Sequence, residues 1–336
     1  MRPAAASAPV STAASAAVAR VAALLAAAIV AVVAVAACTA GGLPSPTPSK
    51  APTQSPSPAP TPADTGPISY ATGATDLVLR VAQGGGLMQQ SMRLAEMPTV
   101  SIYGDGRVIK DVSSGDAPTD PLLPKLTEAR VTPDGMAKVL EAARETGLLE
   151  PDRRYDLPDV YDLWMVWFTT VANGQTHQIA AYALGFSEES KLAPPGEMDD
   201  RKKLDDFFGK VIDLGAWLGP EAVGTEDAYV PSGTRVYVTR LVDWSTAGGG
   251  ATPGPVKPRP GQEVRGWPLD SPPEVFGAPA GDHDGVWRCA VLDPKGVAAL
   301  GLDTATKDTR WQAGDQLYQV VARPLLPDEK DCPTAT

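Results

Sequence analysis

Residues 159–184 read DVYDLWMVWFTTVANGQTHQIAAYAL, and this stretch decides the fold. Between Trp164 and Phe168 it is apolar at every position. A strand of that kind lies inside its sheet and is covered on both faces, at least locally. Asn173-Gly174 then tolerates the positive φ of a tight hairpin turn, so QTHQIAAYAL returns as an antiparallel partner.

Working outward, the same alternation marks further strands. TDLVLRVA leads into Gly84-Gly85-Gly86, and PTVSIYGDGRVIKDV reads as a hairpin turning at Gly104-Asp105-Gly106. A helix with clear ends follows. Thr132 is an N-cap and Pro133 suits the first helical position. Met136, Val139, Leu140 and Ala143 form its apolar face, and Gly147 suits the left-handed position past its end. A second helix is predicted from about Asp199 to Leu218, with Leu204, Phe207, Phe208 and Val211 along one side. Beyond 221–233 the pattern turns mostly to strands: TRVYVTRLVDW, the run to Leu292 that carries Cys289, and a closing hairpin TRWQAGDQLYQVVARPL. The prediction is an α+β fold: an antiparallel sheet with two helices on one face over residues 65–220. A smaller mostly-β domain with one disulfide follows over 221–336.

The N-terminal 64 residues are of a different kind. Residues 21–37 are an apolar run behind Arg20, and residues 1–37 carry no acidic side chain. The run ends in Val35-Ala36-Ala37-Cys38, which resembles a bacterial lipobox: an aliphatic residue, two small residues and Cys. The resemblance implies a signal peptide over 1–37, cleavage before Cys38, and a diacylglyceryl group (palmitate-type chains) on its thiol. Two acyl chains hold a protein stably on a bilayer. The competing reading is an uncleaved anchor helix, and both place the remainder outside the cytoplasm. Residues 38–64 are a Pro/Ser/Thr-rich tether that favours polyproline II, and its stretch from Leu43 to Thr65 reaches roughly 70 Å.

Loss of Arg2 and Arg20 takes the 29 basic residues to 27 against 40 acidic ones, so a net charge of −11 becomes −13. That excludes a nucleic-acid footprint and leaves Cys38 as the link to membrane lipid. Besides Cys38 the chain has Cys289 and Cys332. An even pair in an oxidising compartment is most simply a disulfide, with a reactive Cys289 thiol as the competing reading.

Little points to catalysis. The two histidines, His177 and His283, have no accompanying hydrolase elbow, Walker loop or dinucleotide fingerprint. No zinc ligand set has the usual spacing, and Asp282-His283-Asp284-Gly285 reads as a solvated turn rather than a calcium loop. No catalytic residue, metal or cofactor is expected. Trp164, Trp167, Trp217 and Trp287 fall on faces predicted to be buried. Trp244 and Trp267 flank the Gly/Pro-rich loop 247–261 and are the candidates for an exposed binding surface.

The chain after Cys38 is similar to a group of secreted or lipid-anchored proteins of high-GC actinobacteria. The likeness is carried by TVSIYGDGRVI (99–109), ETGLL (145–149), WPL (267–269), RCAVL (288–292) and RPLLPDEKDC (323–332). It implies location and organisation and supplies no catalytic residues. The expected function is a lipid-anchored extracytoplasmic module that binds another envelope protein or a wall polymer. The alternative is a hydrolase of wall glycan or peptide using a carboxylate pair, and a third reading is an assembly factor with neither cleft nor ligand.

Overall fold

The structure, a computed structural model, describes residues 66–113, 115–243, 245, 254–280 and 287–333. The lipobox with Cys38, the tether, Trp244, residues 246–253 of the Gly/Pro loop and the Asp282–Gly285 turn lie outside the described residues.

The first sheet is built from β1 (Leu77–Gly84), β2 (Val100–Tyr103), β3 (Arg107–Asp111), β4 (Leu126–Arg130), β5 (Arg153–Tyr155), β6 (Met165–Ala172), β7 (Gln175–Tyr182) and β8 (Asp227–Ala228). Their order is β5-β7-β6-β1-β2-β3-β4-β8, antiparallel throughout except for β5, which runs parallel to β7 at the edge. The hairpin that decided the fold is its β6–β7 pair. Asn173 and Gly174 both take positive φ, 53° and 72°, as a two-residue hairpin turn of the primed kind demands. In the β2–β3 turn the positive φ falls on Gly106 rather than on Asp105.

One face of this sheet is covered by α2 (Pro133–Glu145) and α4 (Met198–Ile212). Thr132 caps α2 through its side-chain oxygen, which accepts from the Gly135 N–H. At the other end Gly147 has φ 85°, so the Leu148 N–H reaches the Ala143 carbonyl and the Gly147 N–H reaches that of Arg144. This is the double closure of a left-handed helix cap. The second helix is shorter than its periodicity suggested. Asp213 leaves helical geometry at φ −119° and ψ 67°, and its side chain caps a separate turn, α5 (Leu214–Leu218). Short α3 (Glu189–Leu192) precedes α4.

The second sheet uses β9 (Thr234–Arg240), β12 (Val264–Gly266), β13 (Ala278–Ala280), β14 (Trp287–Leu292), β15 (Arg310–Ala313) and β16 (Gln316–Pro324), in the order β12-β15-β16-β9-β14-β13. A separate pair, β10 (Val242–Asp243) with β11 (Gly254–Pro255), closes the base of the Gly/Pro loop. Helix α6 (Pro294–Leu300) and the loops near Trp311 and Phe276 cover one face. The other face receives α1 (Gln90–Ala95), which leaves the first sheet directly after β1 and packs Leu94 and Ala95 against Tyr237, Cys289 and Val321. Cys289 and Cys332 form a disulfide. The α+β architecture and its C-terminal crosslink are therefore as the sequence indicates. Residues 64–336 cluster as one compact unit, in which each sheet keeps its own core and the two are joined through α1 and the C-terminal tail.

Candidate functional site

The face of the first sheet opposite α2 and α4 is covered over only half its width. Arg80 on β1, Ser101 and Tyr103 on β2 and Ile109 on β3 share it, as their register shows. The C-terminal tail lies over this half. Leu326 is buried with Met97, Tyr103, Ile109 and Leu126. Asp328 accepts hydrogen bonds at 2.8 Å from both the Arg80 guanidinium and the Tyr103 hydroxyl. Burial pushes the Asp328 carboxyl up, but Arg80 and Tyr103 outweigh it and hold the group below its usual range. Tyr229 donates to the Leu325 carbonyl at 2.9 Å, and burial raises its phenol to about 12.

The other half, over β6, β7 and β5, carries no such cover. Trp167 stands there with 40% of its surface exposed. This corrects the expectation that it is buried. Trp164, Trp217 and Trp287 do pack inward. Apolar content on both sides of a strand did not require two covered faces, because only the Phe168 side meets a helix, through Phe207 and Phe208.

Around Trp167 the register places a row across the sheet: Ala82 on β1, Trp167 on β6, Ala180 on β7 and Arg154 on β5. One step along, Thr169 of β6 faces Gln178 of β7. Small Ala180 between large neighbours leaves a groove of about 510 Å³, lined also by Asp152 and Arg153. Asp152 accepts from the Gln178 backbone N–H at 2.8 Å, which fixes the groove's edge. Arg153 is drawn away onto Asp200 and the Tyr155 ring, and Arg154 onto Asp156. At the β1 end of the same strands, Leu87 is 89% and Tyr161 78% exposed.

Trp267 is placed differently from what an open binding loop needs. Its ring meets Phe276 edge-on at 5.7 Å, and its indole N–H donates to the Ser271 carbonyl at 2.7 Å. The described part of the Gly/Pro loop is also tied down: Arg259 and Gln262 both bond Asp308. A second depression of about 570 Å³ lies beside α5, where Lys110 pairs with Glu226 and Asp213 caps the helix. Burial raises the Glu96 carboxyl, but Glu96 sits over Gly84 and Gly85 and does not line the groove. No group of three metal-ligating side chains occurs among the described residues.

Sequence reasoning missed the groove because each of its residues looks ordinary alone. The available signal was the alternation Thr176, Gln178, Ala180 in β7, a polar-to-small face that needs a neighbour before it means anything. Comparison with known proteins finds no matching family model, characterised protein or solved structure.

Proposed function

We propose that this protein is a lipid-anchored extracytoplasmic module of the cell envelope that binds a partner through the open half of its first sheet. The lipobox ending at Cys38 and the proline-rich tether support the anchoring. The observation that carries the binding is Trp167: a large aromatic ring held partly in solvent on a sheet, over a groove whose two arginines are already paired. Exposed aromatic rings on rigid scaffolds supply contact area at small entropic cost and are characteristic of recognition sites.

Two measurements test this. Labelling cells with a palmitate analogue should mark the wild type and leave Cys38→Ala unmarked and released from membranes; an unchanged membrane fraction would remove the anchor. Isolated envelope fragments should be retained by the immobilised protein and lost with Trp167→Ala. Equal retention by both would remove the open face as the binding surface.

A further inference from the structure

The groove beside Trp167 also carries chemistry that selects among ligands. We propose that it binds a neutral saccharide ring of an envelope glycan; this rests on the binding reading above and names its ligand class.

Four described tryptophans spend their indole N–H inside the protein. Trp164 donates to the Leu184 carbonyl, Trp267 to that of Ser271, Trp287 to the Gln90 side chain and Trp311 to the Leu300 carbonyl. The Trp167 N–H, like that of Trp217, meets no acceptor among the described residues, and the Trp167 ring is the most exposed of the six. Its strand neighbours in the same row, Ala82 and Ala180, are small, and the far end of the ring rests beside Gly85 past the end of β1. A partly exposed apolar surface is therefore left with a free donor at its edge.

Polar groups complete the site at fitting distances. Adjacent strands are about 4.8 Å apart, so Ala180 and Arg154 lie roughly 5 and 10 Å from Trp167 across the sheet. Gln178 and Thr169 lie one row further, about 7 Å along the strands. Neither the Gln178 carboxamide nor the Thr169 hydroxyl has a partner among the described residues. A ligand lying on the Trp167 ring thus meets donor-and-acceptor groups on one side and an apolar surface beneath. That combination matches a sugar ring, whose C–H face is apolar and whose rim is hydroxylic.

Charge argues against an anionic ligand. Arg153 and Arg154 are paired with Asp200 and Asp156, so no free cation awaits a phosphate or a carboxylate, and the Asp152 carboxylate at the groove's edge repels one. Apolar peptide side chains would bury the Gln178 and Thr169 groups without partners, which is costly.

The test is calorimetric titration of the full-length protein in detergent with chitotetraose, cellotetraose and maltotetraose, and with a proline-rich peptide. At least one tetrasaccharide should bind. Trp167→Ala should weaken it about tenfold or more, Trp167→Phe should restore part of the loss, and the exposed-site variant Gln178→Ala should cost about three- to fivefold. Affinity should be insensitive to salt, as no ion pair forms. Thermal melting of each variant checks that the fold persists. Failure of all three sugars to bind, or binding that survives Trp167→Ala, overturns the assignment. So does Trp167-dependent binding of the peptide alone. If envelope retention needs Trp167 while no tetrasaccharide binds, the ligand class falls and the binding surface stands; if retention ignores Trp167→Ala, both fall.

Discussion

Arg201 shows what a single residue can decide. It is wholly buried at the start of α4 and donates to the Glu189 carboxylate and the Tyr182 carbonyl. A buried ion pair owes its place to mutual satisfaction, since either charge alone is costly away from water. Arg201→Met should lower unfolding stability by about 3–5 kcal/mol in chemical denaturation, because Glu189 is left buried without its cation. Adding Glu189→Leu should recover most of that loss. If the double variant is no better than the single one, the guanidinium acts through packing alone. Nothing in the sequence marks this pair: the two residues stand twelve apart, and Arg on a polar-rich helix reads as a solvated face.

At the scale of elements, helix ends and turns were the most legible features, because their chemistry is local. Thr132, Pro133 and Gly147 bound α2 where the residue types say they should. Thr132→Ala should cost about 1 kcal/mol, measured by the shift in denaturation midpoint at unchanged slope. Gly104 is required for another reason. Its φ is not positive; a Cβ there would come within 2.0 Å of the Ala71 carbonyl oxygen, so the segment before β1 could not lie against the β2–β3 turn. Gly104→Ala should therefore be markedly more destabilising than Thr132→Ala, and the reverse order would mean that this segment yields easily. What periodicity could not reveal was the break in the second helix at Asp213, since α4 and α5 continue a similar apolar pattern across it.

At the scale of the whole molecule, the C-terminal tail joins the two sheets. It is held by the Cys289–Cys332 bond, by Leu326, by Asp328 on Arg80 and Tyr103, and by Glu329 on Arg323. Closing that loop is worth about 4 kcal/mol in the chain-entropy model. Cys332→Ser should thus lower the melting temperature while the tail stays seated. Truncation after Pro324 should expose Tyr103, Met97 and Ile109 and give an insoluble product. Equal loss from both would make the disulfide the sole clamp. The tail should also respond to acid. The folded Asp328 carboxyl lies below its unfolded value of about 4, so its contribution is present above that pH and is lost as pH falls through the folded value. Amide exchange over residues 325–333 should accelerate first below about pH 4, and Asp328→Asn should remove that dependence.

Local sequence was enough for the long elements, β1 to β3, β6, β7, β9, β14 to β16 and α2, for their turns and caps, and for the disulfide as the simplest pairing of two cysteines. These follow from backbone rules that act over a few residues. Tertiary structure alone decided which faces are covered. The Trp167 side of β6 is open and the Tyr103 side of β2 is closed because a tail from residues 325–332 lies on one half of the sheet and not on the other. Hydrophobic periodicity reports that a face can be buried. It carries no information about which segment, more than two hundred residues away as Asp328 is from Arg80, arrives to bury it.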